Sequence, residues 1–219
     1  MTGFEEIKFQ NPGVLIATLP DNVFSELVSF AEKELEHKQV NYILKRSKFN
    51  DNSVSGIEDS IAIKAPSSYS DFILEFSKEY SKFYNFQNTN IDPHLVETWL
   101  NFQKKYEYRP PHAHMAHLPG YLSFTTYIKI PWDKETEDKY PNHFRATTFR
   151  NGRIEFFYNT FSGQQAQRVI DVDKTYEGKT LLWLSTLSHA VYPFYTSDEH
   201  RISLAGNVAL LNPKKPQFA

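Results

Sequence analysis

A mainly β protein with flanking helices is the fold class this sequence predicts, and three observations carry it. Apolar residues recur at helical spacing only before about residue 90. From about residue 92 the pattern changes to short apolar and aromatic runs broken by turn residues. Aromatic side chains make up 16% of the chain, which suits a β-rich core or an aromatic-lined cavity. Helices first and many short strands afterwards indicate a β-sandwich or barrel with helices packed outside. A chain of 219 residues can bury one full core, so a single domain over 1–219 is expected. Residues 1–91 would be helical and β support for a strand-rich core at 92–212.

In chain order, Val14 to Leu19 reads as a short strand stopped by Pro20. Asp21 suits the N-cap of a helix to about His37, with Phe24, Leu27, Val28, Ala31 and Leu35 on one face. Residues 40–67 are ambiguous: 50–56 reads as polar loop, and Ser60 to Lys64 as a strand or a short helical turn. Ser67 or Ser68 could cap a second helix carrying Tyr69, Phe72, Ile73, Phe76, Tyr80 and Phe83. That aromatic stripe reads as core packing rather than as a cofactor box. Strands are expected at His94–Phe102, Tyr121–Pro131, Ala146–Phe149, Arg153–Tyr158, Gln167–Asp171, Thr180–Leu184, Ala190–Tyr192 and Arg201–Leu211. Asn151-Gly152 is a two-residue hairpin signal. The charged stretch 132–145 reads as a solvated loop, with a lid as the alternative.

Composition removes several function classes. A net charge of −2 gives no reason to expect nucleic acid or an anionic membrane as a partner. The chain has no cysteine, which excludes disulfides, iron–sulfur clusters and thiolate zinc sites; a metal here must use His, Asp or Glu. With no secretory leader pattern and no apolar run of about 18 residues, the expected location is cytoplasmic.

The most specific feature is His112-Ala113-His114, between a Tyr/Pro-rich approach (Tyr106, Tyr108, Pro110, Pro111) and the apolar run from Tyr121 to Ile130. In a strand, residues two apart share a face, so the two imidazoles would project side by side as half of a metal site. The other half lies downstream at His189, after an apolar run and a Ser-rich corner. Together the three form a facial triad that leaves open positions on a divalent metal, as a catalytic metal requires. In the last strand Arg201, Ser203, Ala205 and Asn207 are read on one face and Ile202, Leu204 and Val208 on the other. An arginine on an otherwise small, polar face suggests a pocket in which its fork and the Ser203 hydroxyl hold a carboxylate.

In order and spacing these residues resemble the Fe(II)/2-oxoglutarate-dependent oxygenases, and most of all the small prolyl-hydroxylase-like members found in bacteria and phages. The resemblance is carried by Trp99, Asn101, Pro111, His112, His114, Ser123, Tyr127, His189, Val191, Pro193, Arg201, Ser203 and Asn207. It covers roughly residues 95–210 and implies a double-stranded β-helix, the jelly-roll or cupin-like core, over 92–212. It implies Fe(II) on His112, His114 and His189, with 2-oxoglutarate chelating the metal and its distal carboxylate on Arg201 and Ser203. Asn101 and Tyr127 are implied as further cosubstrate contacts. O2 is the third reactant, and an unknown primary substrate, a protein side chain or a small molecule, would be hydroxylated.

One departure is plain: most of that superfamily has Asp or Glu where this chain has His114. Three neutral imidazoles leave Fe(II) one positive charge higher, and such a site should also accept Ni(II), Cu(II) or Zn(II). All three must be neutral to bind, so the metal is expected to leave below about pH 6. His117 could line the substrate side, although a surface role suits it better. His37, His94, His143 and His200 show nothing beyond ordinary surface or core roles.

Two other readings are open. Cupin dioxygenases and isomerases also use H-x-H and a later His, but they usually add a Glu soon after, and 115–120 has none. A non-catalytic jelly-roll binding or virion-associated module would keep the fold without the chemistry. The chain is expected to be a monomer or a homodimer.

Overall fold

The computed structural model describes residues 3–7, 13–45, 60–86, 91–114, 120–141, 150–160 and 162–210. The elements are β1 (Phe4–Ile7), β2 (Val14–Thr18), α1 (Asp21–Lys45), β3 (Ser60–Ala62), α2 (Ser67–Phe83), β4 (His94–Gln103), β5 (Arg109–His112), β6 (Tyr121–Lys129), α3 (Lys134–Lys139), β7 (Ile154–Asn159), β8 (Gln165–Ile170), β9 (Lys179–Leu184), β10 (Ser188–Val191) and β11 (Arg201–Ala209).

Alternation of side chains along the strands decides how these elements stack. The last eight strands divide between two antiparallel sheets: β9-β6-β11-β4 run side by side in one, and β5-β10-β7-β8 form the other. That arrangement is a double-stranded β-helix. The N-terminal strands β1 and β2 extend the larger sheet beyond β9, and β3 extends it beyond β4, giving seven strands. Mainly β with flanking helices, the expected class, is what forms.

Each face of the larger sheet has its own apolar cluster. Leu100, Leu122, Phe124, Leu182, Ile202 and Leu204 pack with Leu27 and Ala31 of α1 and with Tyr69, Ile73 and Phe76 of α2. The stripe of α2 is therefore core from Tyr69 to Tyr80, as its spacing predicts, whereas Phe83 in the last turn is 45% exposed. A buried chain of hydroxyls ties helix to sheet: Tyr69 Oη lies 2.6 Å from Thr126 Oγ1, which lies 2.6 Å from Thr180 Oγ1. Between the sheets, Ile16, Ile130, Trp132, Ile154, Phe156, Leu181, Trp183 and Phe194 form the second cluster.

Several local expectations are revised. The first helix runs on past His37 to Lys45. The second helix takes Pro66 as its N-cap with no side-chain cap bond. Ser67 is already helical, and the Ser68 hydroxyl donates instead to Glu26 on α1. Ser60 to Ala62 is a strand rather than a helical turn. The Asn151-Gly152 turn is present, with Gly152 at φ +69° and Arg153 N–H donating to Arg150 C=O at 3.0 Å. The expected strand at 146–149, the loop at 50–56, His117 and His143 lie outside the described residues. The charged stretch is not simply a solvated loop. It forms α3, capped by Asp133, and Glu137 within it is buried.

Candidate metal centre

Two prolines shape the first part of the site. Pro110 and Pro111 have no N–H to donate, so β5 is short and ends at His112. The expectation that His112 and His114 sit in one strand is corrected. His114 lies just beyond β5, held by its N–H on Ser185 C=O at 2.9 Å. The rings still meet, at a centroid distance of 5.0 Å. His189 is brought in by the neighbouring strand β10, directly opposite His112 in the ladder. Its ring lies 4.3 Å from His112 and 5.3 Å from His114.

The three histidines could hold a metal ion, since their ligand atoms all lie within 4.8 Å of one another. Metal–nitrogen bonds of roughly 2.1 Å place ligand nitrogens about 3 Å apart, so binding draws the rings inward. The tautomers suit this. His112 Nδ1–H donates to Pro110 C=O at 2.7 Å, and His189 Nδ1–H donates to Leu187 C=O at 3.2 Å. With Nδ1 protonated, each Nε2 keeps its lone pair for a cation. Burial also keeps the rings neutral. It pushes His114 down to about 4 and depresses His112 and His189, with the neighbouring imidazoles and Arg109 adding to the effect.

The opposite wall of the same cavity comes from the larger sheet. Ladder pairing aligns Gln103 with Arg201, Asn101 with Ser203, and Ser203 with Tyr127. All seven site residues read from the sequence, His112, His114, His189, Arg201, Ser203, Asn101 and Tyr127, line this one cavity. Asn101 Nδ2 lies 3.5 Å from Ser203 Oγ. Arg201 is 2% exposed. Its guanidinium donates to Gly152 C=O at 2.8 Å and to Gln103 Oε1, and its face stacks over Trp132. Burial lowers it from 12.5 to about 10, against the opposing pull of Tyr127 and Glu137. It therefore stays charged at neutral pH.

Further residues support the site, some of them outside any motif. Glu137, 1% exposed, accepts from the N–H groups of Tyr195 and Thr196 at 2.8 and 3.0 Å and so fixes the chain entering β11. Trp99 stacks on His114 at 5.6 Å, and Trp183 meets His189 edge-on at 5.0 Å. Ser123 donates to Asn207 Oδ1 at 2.7 Å, while Asn207 Nδ2 donates to Glu97 at 2.6 Å. Those two motif residues thus brace neighbouring strands. Among the described residues, three buried side-chain polar atoms have no hydrogen-bond partner: Asn101 Oδ1, Arg109 Nε and Trp183 Nε1. All three residues line this cavity. Orphaned polar atoms concentrated in one place call for a partner there, and a polar ligand or water would supply it.

A double-stranded β-helix with a candidate three-histidine metal centre is the class that fold and site define. The family described as "Putative 2OG-Fe(II) oxygenase" matches residues 97–207, just over half of the chain, and the chain belongs to that family. Solved structures show the same fold. AviO1 from Streptomyces viridochromogenes Tue57 aligns at TM-score 0.56 and 12% identity, over 96% of this chain and 95% of that one. A prolyl-4-hydroxylase from Pseudomonas putida aligns at 0.51 and 14%, over 96% and 94%. SnoK, a non-heme alpha ketoglutarate dependent carbocyclase from nogalamycin biosynthesis, aligns at 0.56 and 9%, over 90% and 79%. No curated protein matches the sequence.

Proposed function

We propose that this protein is an Fe(II)- and 2-oxoglutarate-dependent hydroxylase. His112, His114 and His189 hold the metal, Arg201 and Ser203 take the distal carboxylate of 2-oxoglutarate, and Asn101 and Tyr127 complete the cosubstrate's contacts. The observation that carries this reading is one cavity with three neutral imidazoles on one wall and a buried, charged arginine on the other. The donor set fits a divalent ion, and the orphaned atoms fit a polar ligand beside it.

When bound, Fe(II) with 2-oxoglutarate and O2 supplies the oxidising power to break a substrate C–H bond. The chain's own residues bind, orient and exclude water. Nδ1–H bonds to Pro110 and Leu187 hold two of the rings with Nε2 toward the metal. Gln103 and Gly152 fix the Arg201 fork, so little entropy is lost when a carboxylate docks. Trp99, Trp183 and Phe156 surround the imidazoles with apolar surface that keeps bulk water from them.

Calorimetry with Mn(II) tests the assignment. His189→Ala is expected to lose metal binding, and with it 2-oxoglutarate binding. Arg201→Ala is expected to keep the metal and weaken 2-oxoglutarate by about a hundredfold, the weight of a buried charge-assisted pair at roughly 3 kcal/mol. Unaltered 2-oxoglutarate affinity in a folded Arg201→Ala protein removes Arg201 from the site.

A further inference from the structure

Arg109 is the unexplained charge in the cavity. It lines the same pocket as the three histidines, yet its Nε is buried without a hydrogen-bond partner. Among the described residues no carboxylate pairs with it, and no Asp or Glu lines the pocket. Arg201 has Gln103, Gly152 and the nearby Glu137; Arg109 meets burial alone. A guanidinium nitrogen buried without a partner is costly, and in a cavity wall a ligand is the explanation that would satisfy it.

Its inward aim has a structural cause. In the β5–β10 ladder His112 faces His189, while Arg109 faces Val191. Three steps along β5 thus match two along β10, which is a β-bulge. Without the bulge, residues 109 and 112 would point to opposite faces. With it, both line the cavity. β5 pairs with β10 alone and is the edge of its sheet. Arg109 therefore stands at the rim, partly exposed, whereas Arg201 lies deep at 2% exposure.

Charge counting identifies what it meets, taking the metal and cosubstrate as assigned above. Three neutral imidazoles leave a divalent metal with both of its positive charges. Arg201 and Arg109 bring the cavity to four, against two on 2-oxoglutarate. We infer that Arg109 recognises a carboxylate on the primary substrate, so that the protein acts on an acid rather than on a neutral compound. Trp183 Nε1–H is an unused donor in the same cavity.

The test uses Mn(II)- and 2-oxoglutarate-loaded full-length protein and matched acid–amide pairs: acetate with acetamide, benzoate with benzamide, and L-alanine with L-alaninamide. Binding is read by calorimetry and by quenching of the cavity tryptophans. Wild type is expected to bind at least one acid tenfold or more tightly than its amide. Arg109→Gln should erase that preference, and Arg109→Lys should keep part of it. Both variants should retain wild-type 2-oxoglutarate affinity and melting temperature. Equal affinity for acids and amides in wild type, including no binding of either, overturns the inference. Loss of 2-oxoglutarate binding in a folded Arg109→Gln protein also overturns it, since Arg109 would then serve the cosubstrate. Failure of wild type itself to bind 2-oxoglutarate with Mn(II) counts against the oxygenase reading instead, and the acid–amide comparison is then made on the Mn(II) protein.

Discussion

Burial, more than ring chemistry, prepares the three imidazoles for a cation. His114 is pushed down to about 4, chiefly by desolvation, and His112 and His189 fall in the same direction. The sign of the pH dependence follows. Between an unfolded value near 6.5 and the lowered native values, the unfolded chain binds protons that the native one does not. Stability of the metal-free protein therefore declines as pH falls below about 6.5 toward the lowered native values. Protons compete with metal at these lowered values too, so the loss expected near pH 6 from free imidazoles moves down. Mn(II) should remain bound at pH 5.5 and leave toward pH 4, as followed by water-proton relaxation; half-occupancy at or above pH 6 contradicts the burial argument. At this scale the sequence was legible wherever chemistry marks the residue. Two histidines in H-x-H, a later histidine and an arginine on a small polar face are conspicuous, and all line the cavity. Arg109 was not legible, because a bulge in a two-proline strand leaves no alternation to read.

Turns and short elements hold the arginine wall in place. Gly152 sits at φ +69°, and an added Cβ would lie 2.5 Å from the Trp132 indole. Its carbonyl accepts from Arg201, and its N–H donates to Pro193 C=O at 2.7 Å. Gly152→Ala should destabilise the protein by roughly 1–3 kcal/mol, from strain and overpacking combined. It should also weaken 2-oxoglutarate binding by displacing Arg201. Thermal unfolding and calorimetry check both, and a variant that melts and binds like wild type rejects this role for the turn. The turn was readable from Asn-Gly, whereas the role of α3 was not. Charge in 132–145 suggests solvent, but Glu137 is buried because five groups converge near it: the two N–H groups and hydroxyl at Tyr195 and Thr196, with Asn151 on its carbonyl and Arg201 nearby. Only tertiary structure supplies those partners. The prolines of β5 likewise hid that His114 lies past the strand's end.

For the molecule as a whole, the site joins the two sheets and the corner between β9 and β10. The β-rich architecture was legible because strand-period runs fill the second half of the chain. The addition of β1, β2 and β3 to the larger sheet was not fully so, since β1 is a four-residue strand with two glutamates. Among the described residues no helix is long and apolar enough to cross a membrane. A metal drawn from β5, β10 and the segment after β5 can bind only the folded chain. At free metal a thousandfold above Kd it should add about 4 kcal/mol, roughly 10 °C in Tm for a domain of this size. Chelation should reverse the shift; a Tm indifferent to a bound metal places that metal elsewhere.

Whether the three histidines and Arg201 hold iron and 2-oxoglutarate together is decided by anaerobic titration of iron-reconstituted protein with 2-oxoglutarate, watched in the visible for a metal-to-ligand charge-transfer band. The band should grow to saturation in wild type, be absent in His189→Ala, and need far more 2-oxoglutarate in Arg201→Ala. Iron bound by the histidines with no band at any 2-oxoglutarate concentration contradicts that arrangement.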